Sequence, residues 1–159
     1  MESTSEWLHA SGNYVVSTDP ARLDVATIHA VLSESYWSPG IPIEVVRRAI
    51  RGSLAFGLYA TSGGQVGFAR VVTDGATFAY LADVFILPAE RGRGLGKWLM
   101  SVIEAHPDLQ DLRRWLLATR DAHALYGRFG FAALKAPERF MERHDPDVYA
   151  RLSAESDRS

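Results

Sequence analysis

Cysteine is absent from all 159 residues. That removes disulfide cross-links, thiolate catalysis and Cys-ligated zinc together, without assigning a compartment. An excess of charge of either sign is also lacking: 17 Lys plus Arg stand against 19 Asp plus Glu, a formal charge of −2. No broad basic surface is expected, and a nucleic-acid partner is disfavoured. No run approaches the roughly eighteen apolar residues of a membrane span. The opening "MESTSEWLHASGNYVV" has neither the basic leader nor the apolar core of an export signal. The expectation is a cytoplasmic chain with no membrane partner. Repeats and low-complexity blocks are missing too. His9, His29, His106 and His144 lack ligand-like spacing, so no metal is expected.

What is present suits one compact unit, with 47% hydrophobic and 23% charged residues. A single domain over 1–159 is expected, with its core at about 14–142, a flexible N-terminus and a polar tail, "RLSAESDRS". Tyr14 to Ser17 reads as a strand, followed by a helix with Asp19 as N-cap and Pro20 at its first position. Pro42 opens a second helix, on which Ile43, Val46 and Ile50 share a face and Gly52 marks the end. "SLAFGLYA", "QVGFARVVT" and "TFAYLADVFIL" then form an antiparallel meander, separated by the turn signals "TSGGQ" and "TDGAT".

Leu95, Trp98, Leu99, Val102 and Ile103 recur at helical spacing until Pro107 stops them. "RRWLLAT" reads as a buried strand and "DAHALYGRFGF" as a short helix capped by Asp121 and ended by Gly130. A last strand is expected within "FMERHD". Strand, loop, helix and strand from Thr77 to Thr119 imply a right-handed crossover and two parallel neighbours. The fold class is therefore α+β: a mixed, mostly antiparallel sheet with a parallel central pair, flanked by helices on both faces.

Between the third meander strand and the next helix lies "VFILPAERGRGLGKWLM", Val84 to Met100. A Walker A loop would need glycine at Arg91 and a hydroxyl at Trp98; a dinucleotide fingerprint starting at Gly92 and Gly94 would need glycine at Lys97. Both fail. The spacing Arg91-x-x-Gly94-x-Gly96 still lets successive backbone N–H groups converge on an anion at a helix N-terminus, with Arg93 and Lys97 adding charge.

Arg91-Gly92-Arg93-Gly94-Leu95-Gly96 after "VFILP", with "ALYGRFGF" (Ala124 to Phe131) downstream, resembles the GCN5-related N-acetyltransferase (GNAT) family, whose members bind acetyl-CoA. The resemblance spans about Tyr14 to Glu142. It implies that Arg91, Gly92, Arg93, Gly94, Leu95, Gly96 and Lys97 hold the CoA pyrophosphate. The strand edge at Val84, Phe85 and Ile86 would pair with the pantetheine arm, admitted by a splay between this strand and "RRWLLAT". Tyr126 matches the tyrosine that protonates the departing thiolate; its alternative role is packing with Leu125 and Phe129.

The match departs in two places. Where many members have a CoA-contacting asparagine this chain has Thr119, and where protein-acetylating members carry a glutamate base it has Tyr80. Asp83, set among apolar residues in "LADVF", is then the first candidate for the general base, its alternative being a hydrogen-bonded or outward-facing strand residue; His123 is second, as base, as a CoA contact or facing solvent, and Glu34 is also considered. On the acceptor side, Tyr36 and Trp37 in "SESYWSPGIP" could cage an apolar or cationic amine or staple the loop to the sheet. Glu34, Tyr36, Trp37 and Tyr80 are the substrate-binding candidates.

The implied activity is direct transfer of acetyl from acetyl-CoA to a primary amine of a small-molecule acceptor, without a metal and without a Cys-linked acetyl-enzyme. The alternative is a non-catalytic acyl-CoA-binding sensor. A homodimer stays open.

Overall fold

The computed structural model describes residues 4–158. Six strands form one sheet in sequence order: β1 (Glu6–Leu8), β2 (Tyr14–Ser17), β3 (Leu54–Ala60), β4 (Gln65–Thr73), β5 (Phe78–Ile86) and β6 (Arg114–Leu117). Every neighbouring pair is antiparallel except β5–β6, which runs parallel from Phe78↔Arg114 to Leu81↔Leu117. The parallel pair lies at the sheet's edge instead of its centre. No strand forms over "FMERHD": Pro137 starts a tight turn there, and Phe140 sits beneath the Arg114 guanidinium, 4.9 Å from its ring centroid.

Helices cover both faces. α1 (Val25–Ser33) and α2 (Ile43–Arg51) bury Ile28, Leu32, Val46 and Ile50 against Phe68 and Phe85. α3 (Leu95–Ala105) buries Leu99, Met100 and Ile103 on the other face against Phe56, Leu58, Val71 and Leu81. Tyr126 of α4 (His123–Gly127) joins that second cluster. Alternation along the strands divides their side chains between the two clusters, and the burial of their apolar faces drives the assembly. Among the described residues no helix is long and apolar enough to cross a membrane.

Several boundaries differ from the sequence expectation. Asp19 caps only a single tight turn at Pro20–Arg22; α1 starts at Val25, because Asp24 accepts both the Thr27 N–H (3.1 Å) and the Thr27 hydroxyl (2.7 Å). Asp121 does not cap α4. The Thr119 hydroxyl takes the Ala122 N–H at 3.1 Å, and Ala122 stands at the cap position. The N-terminal segment contributes β1, whose Trp7 packs on Phe56 and His106. The polar tail forms α5 (Val148–Asp157), anchored by Tyr149 against the α1–α2 cluster and by an Arg151–Asp145 ion pair.

His106, at the end of α3, is 3% exposed. Its Nδ1 accepts the Asp108 N–H at 3.0 Å, its Nε2 has no partner among the described residues, and its ring lies edge-on to Phe56. Burial holds its pKa below the ordinary imidazole value, with Asp108 opposing. The unfolded chain then takes up a proton that the folded chain refuses. Stability from this site is present above about pH 6.5 and falls as pH drops from there toward the depressed folded pKa. Urea unfolding at about pH 7.5 and about pH 5.5 should show a smaller acid loss in His106→Asn, which retains an acceptor for Asp108 but cannot charge. Equal losses in the two proteins would contradict this.

Candidate active site

The site begins at a kink in β5. Phe68 pairs with Phe85 and Arg70 with Ala82, so β5 carries one residue more than β4 between these pairs. That makes a bulge. Asp83 sits in it with φ 57, a left-handed conformation that aspartate tolerates better than most residues. The extra residue reverses the alternation: Ala79 and Leu81 face the α3 side before it, and Val84 and Ile86 after it. Pairing to β6 has already ended at Leu81↔Leu117. Residues 82–86 therefore border a cleft, with no strand on the β6 side.

The glycine loop follows at the end of this free edge. Gly92 (φ 81) and Gly94 (φ 75) need the conformational freedom of glycine, and Gly94 is the N-cap of α3 with no side-chain cap. The first helical bond from the cap is Trp98 N–H to the Gly94 carbonyl at 3.1 Å. The backbone N–H groups from Gly92 to Lys97 have no acceptor among the described residues, which leaves an open array of donors at the positive end of a helix. Gly96 lies within α3, and a Cβ there would meet nothing within 4 Å.

The loop side chains divide. Leu95 is buried at 2% exposure and anchors the turn in the core. Arg91 folds back to donate to the Ile86 carbonyl at 3.1 Å. Arg93 donates to the Tyr14 hydroxyl at 2.8 Å and pairs with Glu90 at 3.2 Å, while Tyr14 donates to Glu90 at 2.6 Å. Its charge is thus committed to β2 as well as to the loop. Lys97 is exposed and has no partner among the described residues. Tyr14 and Glu90 were not singled out by sequence: they are 76 residues apart, and no local pattern joins them.

Across the cleft, Tyr126 is 9% exposed, with its ring against Phe131. Its hydroxyl has no hydrogen-bond partner among the described residues. Burial first, then Tyr36 and Asp121, raises its pKa, so it stays protonated through the neutral range. Thr119 is occupied by the α4 entry turn, and His123 is exposed at the start of that helix.

The α1–α2 connection closes the same end of the cleft. Trp37 Nε1 donates to Asp83 Oδ1 at 2.9 Å, and the Tyr36 hydroxyl accepts the Arg120 N–H at 3.0 Å. The Arg120 guanidinium lies 3.9 Å from the Tyr36 ring centroid, and Tyr36 and Trp37 meet edge to face at 5.1 Å. One face of the expected aromatic cage is thus covered by the chain's own cation. Of the two readings of Asp83, the structure shows the hydrogen-bonded one: Arg70 Nε pairs with its Oδ2 at 2.9 Å, and both side chains are mostly buried. Tyr80, three residues earlier, pairs with Val72 and Leu116 in the sheet. Glu34, at the end of α1, is exposed. Arg70 could have been suspected from a charge inside the otherwise apolar "GFARVV"; nothing local marks Arg120.

Residues 53–133 match the model of the acetyltransferase (GNAT) domain. A Gibberella zeae chain assigned as an acetyltransferase, FG08082, is 39% identical over 137 residues, covering 74% of this chain and 77% of its own. A crystal structure of a GNAT-family chain from Xanthomonas campestris has 53% identity and a TM-score of 0.83, covering 86% of this chain and 96% of that one. A Clostridium acetobutylicum chain assigned as an acetyltransferase and crystallised with acetyl-CoA shares the fold at 13% identity and a TM-score of 0.58, covering 83% and 95%. With its domain matched across half its length and its cleft built on the β5–β6 pair, this chain belongs to the GNAT acetyltransferase family.

Proposed function

We propose that the protein is an acetyl-CoA-dependent N-acetyltransferase that moves the acetyl group directly to a primary amine of a small-molecule acceptor. The observation that carries this reading is the run of unpaired amides from Gly92 to Lys97 beneath the open space at Gly96. Among the described residues nothing requires glycine at 96: its φ is ordinary, no neighbour crowds it, and glycine in a helix costs about 0.5–1 kcal/mol relative to alanine. A bound group approaching the backbone accounts for it. The pyrophosphate of CoA fits the donor set, and the amide-rich pantetheine arm fits the β5 edge at residues 82–86, where it would replace Arg91 at the Ile86 carbonyl.

The thioester carbonyl then lies in the cleft toward Tyr126. Attack by a neutral amine gives a tetrahedral oxyanion; its collapse breaks the C–S bond and releases the CoA thiolate. Tyr126, kept protonated by burial, donates its proton to that sulfur and favours departure. The proton lost by the amine passes to water, and Tyr126 regains its own proton from solvent before the next turnover. Tyr126 also separates this reading from an acyl-CoA sensor, which needs the cradle but no donor at sulfur.

Two variants test the two halves. Gly96→Leu places a good helix former in open space, so the melting temperature of the free protein should be nearly unchanged while acetyl-CoA binding weakens by about tenfold or more. Wild-type affinity in this variant would remove the cradle. Tyr126→Phe should keep the thermal shift produced by acetyl-CoA and lose about 100-fold in amine-dependent thiol release. Unchanged release with an amine that wild type acetylates would remove the donor role.

A further inference from the structure

Resting on that acetyl-transfer reading, we infer that the α1–α2 loop is a two-point clasp across the cleft, and that Asp83 is the positioning residue that anchors it and thereby sets how the acceptor is held. The loop touches both strands just beyond the end of their pairing. Trp37 reaches Asp83, two residues past the last β5 residue paired with β6. Tyr36 reaches Arg120, three residues past the last residue of β6. The aromatic pair therefore reaches from one strand to the other just beyond the end of their pairing.

The two attachments differ in strength. At the β5 end, Asp83 accepts from Trp37 on Oδ1 and from Arg70 on Oδ2, and Arg70 continues to the Ser53 hydroxyl at 3.0 Å. Four segments are tied together: the clasp, β5, β4 and the turn after α2. Both oxygens of the carboxylate accept charge-assisted or indole bonds, which suits an anchor better than a base. The root of the clasp is also fixed, because the Ser38 hydroxyl, on a residue 6% exposed, donates to the Leu32 carbonyl at 3.1 Å and the Ser35 hydroxyl to the same carbonyl at 2.7 Å. At the β6 end, by contrast, Tyr36 and Arg120 are joined to each other at the surface by one backbone hydrogen bond and one cation–π contact, with an exposed Arg120–Asp121 pair at 3.8 Å beside them. The β5 end is the fixed post, and the Tyr36–Arg120 end is where the clasp yields to ligands.

This arrangement also bears on the acceptor. Arg120 already lies on Tyr36, and Arg70 already neutralises Asp83. The clasp acts on its ligand as an apolar aromatic wall through Trp37, not as a cation trap.

Trp37→Phe, Asp83→Asn and the double variant form a cycle that tests the anchor, read by acetyl-CoA thermal shift, amide hydrogen exchange over residues 34–41, and amine-dependent thiol release. Trp37→Phe removes the indole donor at a partly exposed position and does not threaten the fold. It should speed exchange over 34–41 and raise the KM for the amine, each by about tenfold, with kcat within about twofold and the acetyl-CoA shift intact. Asp83→Asn should do at least as much to KM, and the double variant should be no worse than Asp83→Asn alone, because both act through one contact. A collapse of kcat in Asp83→Asn that Trp37→Phe does not share, with additive effects in the double variant, would make Asp83 the base and overturn the anchor. Unchanged exchange over 34–41 in Trp37→Phe would overturn it even if no amine in the panel is acetylated. Loss of the acetyl-CoA shift in the wild-type protein would instead sink the acetyl-transfer reading and leave the exchange result to judge the clasp.

Discussion

The bulge at Asp83 is the constraint around which the site is arranged. One extra residue in β5, held at φ 57, turns the strand after its pairing with β6 has ended. A left-handed aspartate costs roughly 1–2 kcal/mol, and the bonds from Arg70 and Trp37 hold it in place. Without the bulge the side chains of Val84 and Ile86 would point to the opposite face, and the strand would enter the glycine loop in a different phase. The phase in which β5 enters the glycine loop and the placement of the Asp83 carboxylate beside Arg70 and Trp37 are consequences of the same local geometry.

Around it the molecule separates rigid from adaptable parts. The two apolar clusters hold the sheet between α3 and the α1–α2 pair. The glycine loop is tied to β2 by the Tyr14–Glu90–Arg93 triangle and pinned to the core by Leu95. Its free amides thus stand on a stiff base, which is what an anion site needs if binding is not to be spent on ordering the loop. The Tyr36–Arg120 contact is exposed by comparison. Under the proposed function, a stiff phosphate end and a more exposed acceptor end suit an enzyme that binds one constant cosubstrate.

The parts of this arrangement written in contiguous residues were legible. The meander, α3 and the glycine loop each lie in one stretch with a strong period or spacing, and "ALYGRFGF" marks α4 and Tyr126 in the same way. Long-range polar partners were not legible. Trp37 and Asp83 are 46 residues apart, and Tyr36 and Arg120 are 84 apart, so neither period nor spacing could connect them. "LADVF" leaves Asp83 open between a base among apolar neighbours and a hydrogen-bonded residue; the bulge, which no local pattern marks, turns its carboxylate toward Arg70. At the ends, short apolar signals lost to tertiary context. Trp7 recruited β1 to the sheet, while "FMERHD" stayed outside it beside Pro137.

The central claim is that the free edge of β5 and the uncapped turn of α3 together form one binding surface for acetyl-CoA. Backbone amide signals followed by nuclear magnetic resonance during an acetyl-CoA titration test it most directly. The account predicts saturable shifts concentrated at residues 82–86 and 92–97, extending to Tyr126 and absent when NAD is added in its place. Saturable binding of acetyl-CoA that leaves those two segments unperturbed and shifts another surface would contradict it.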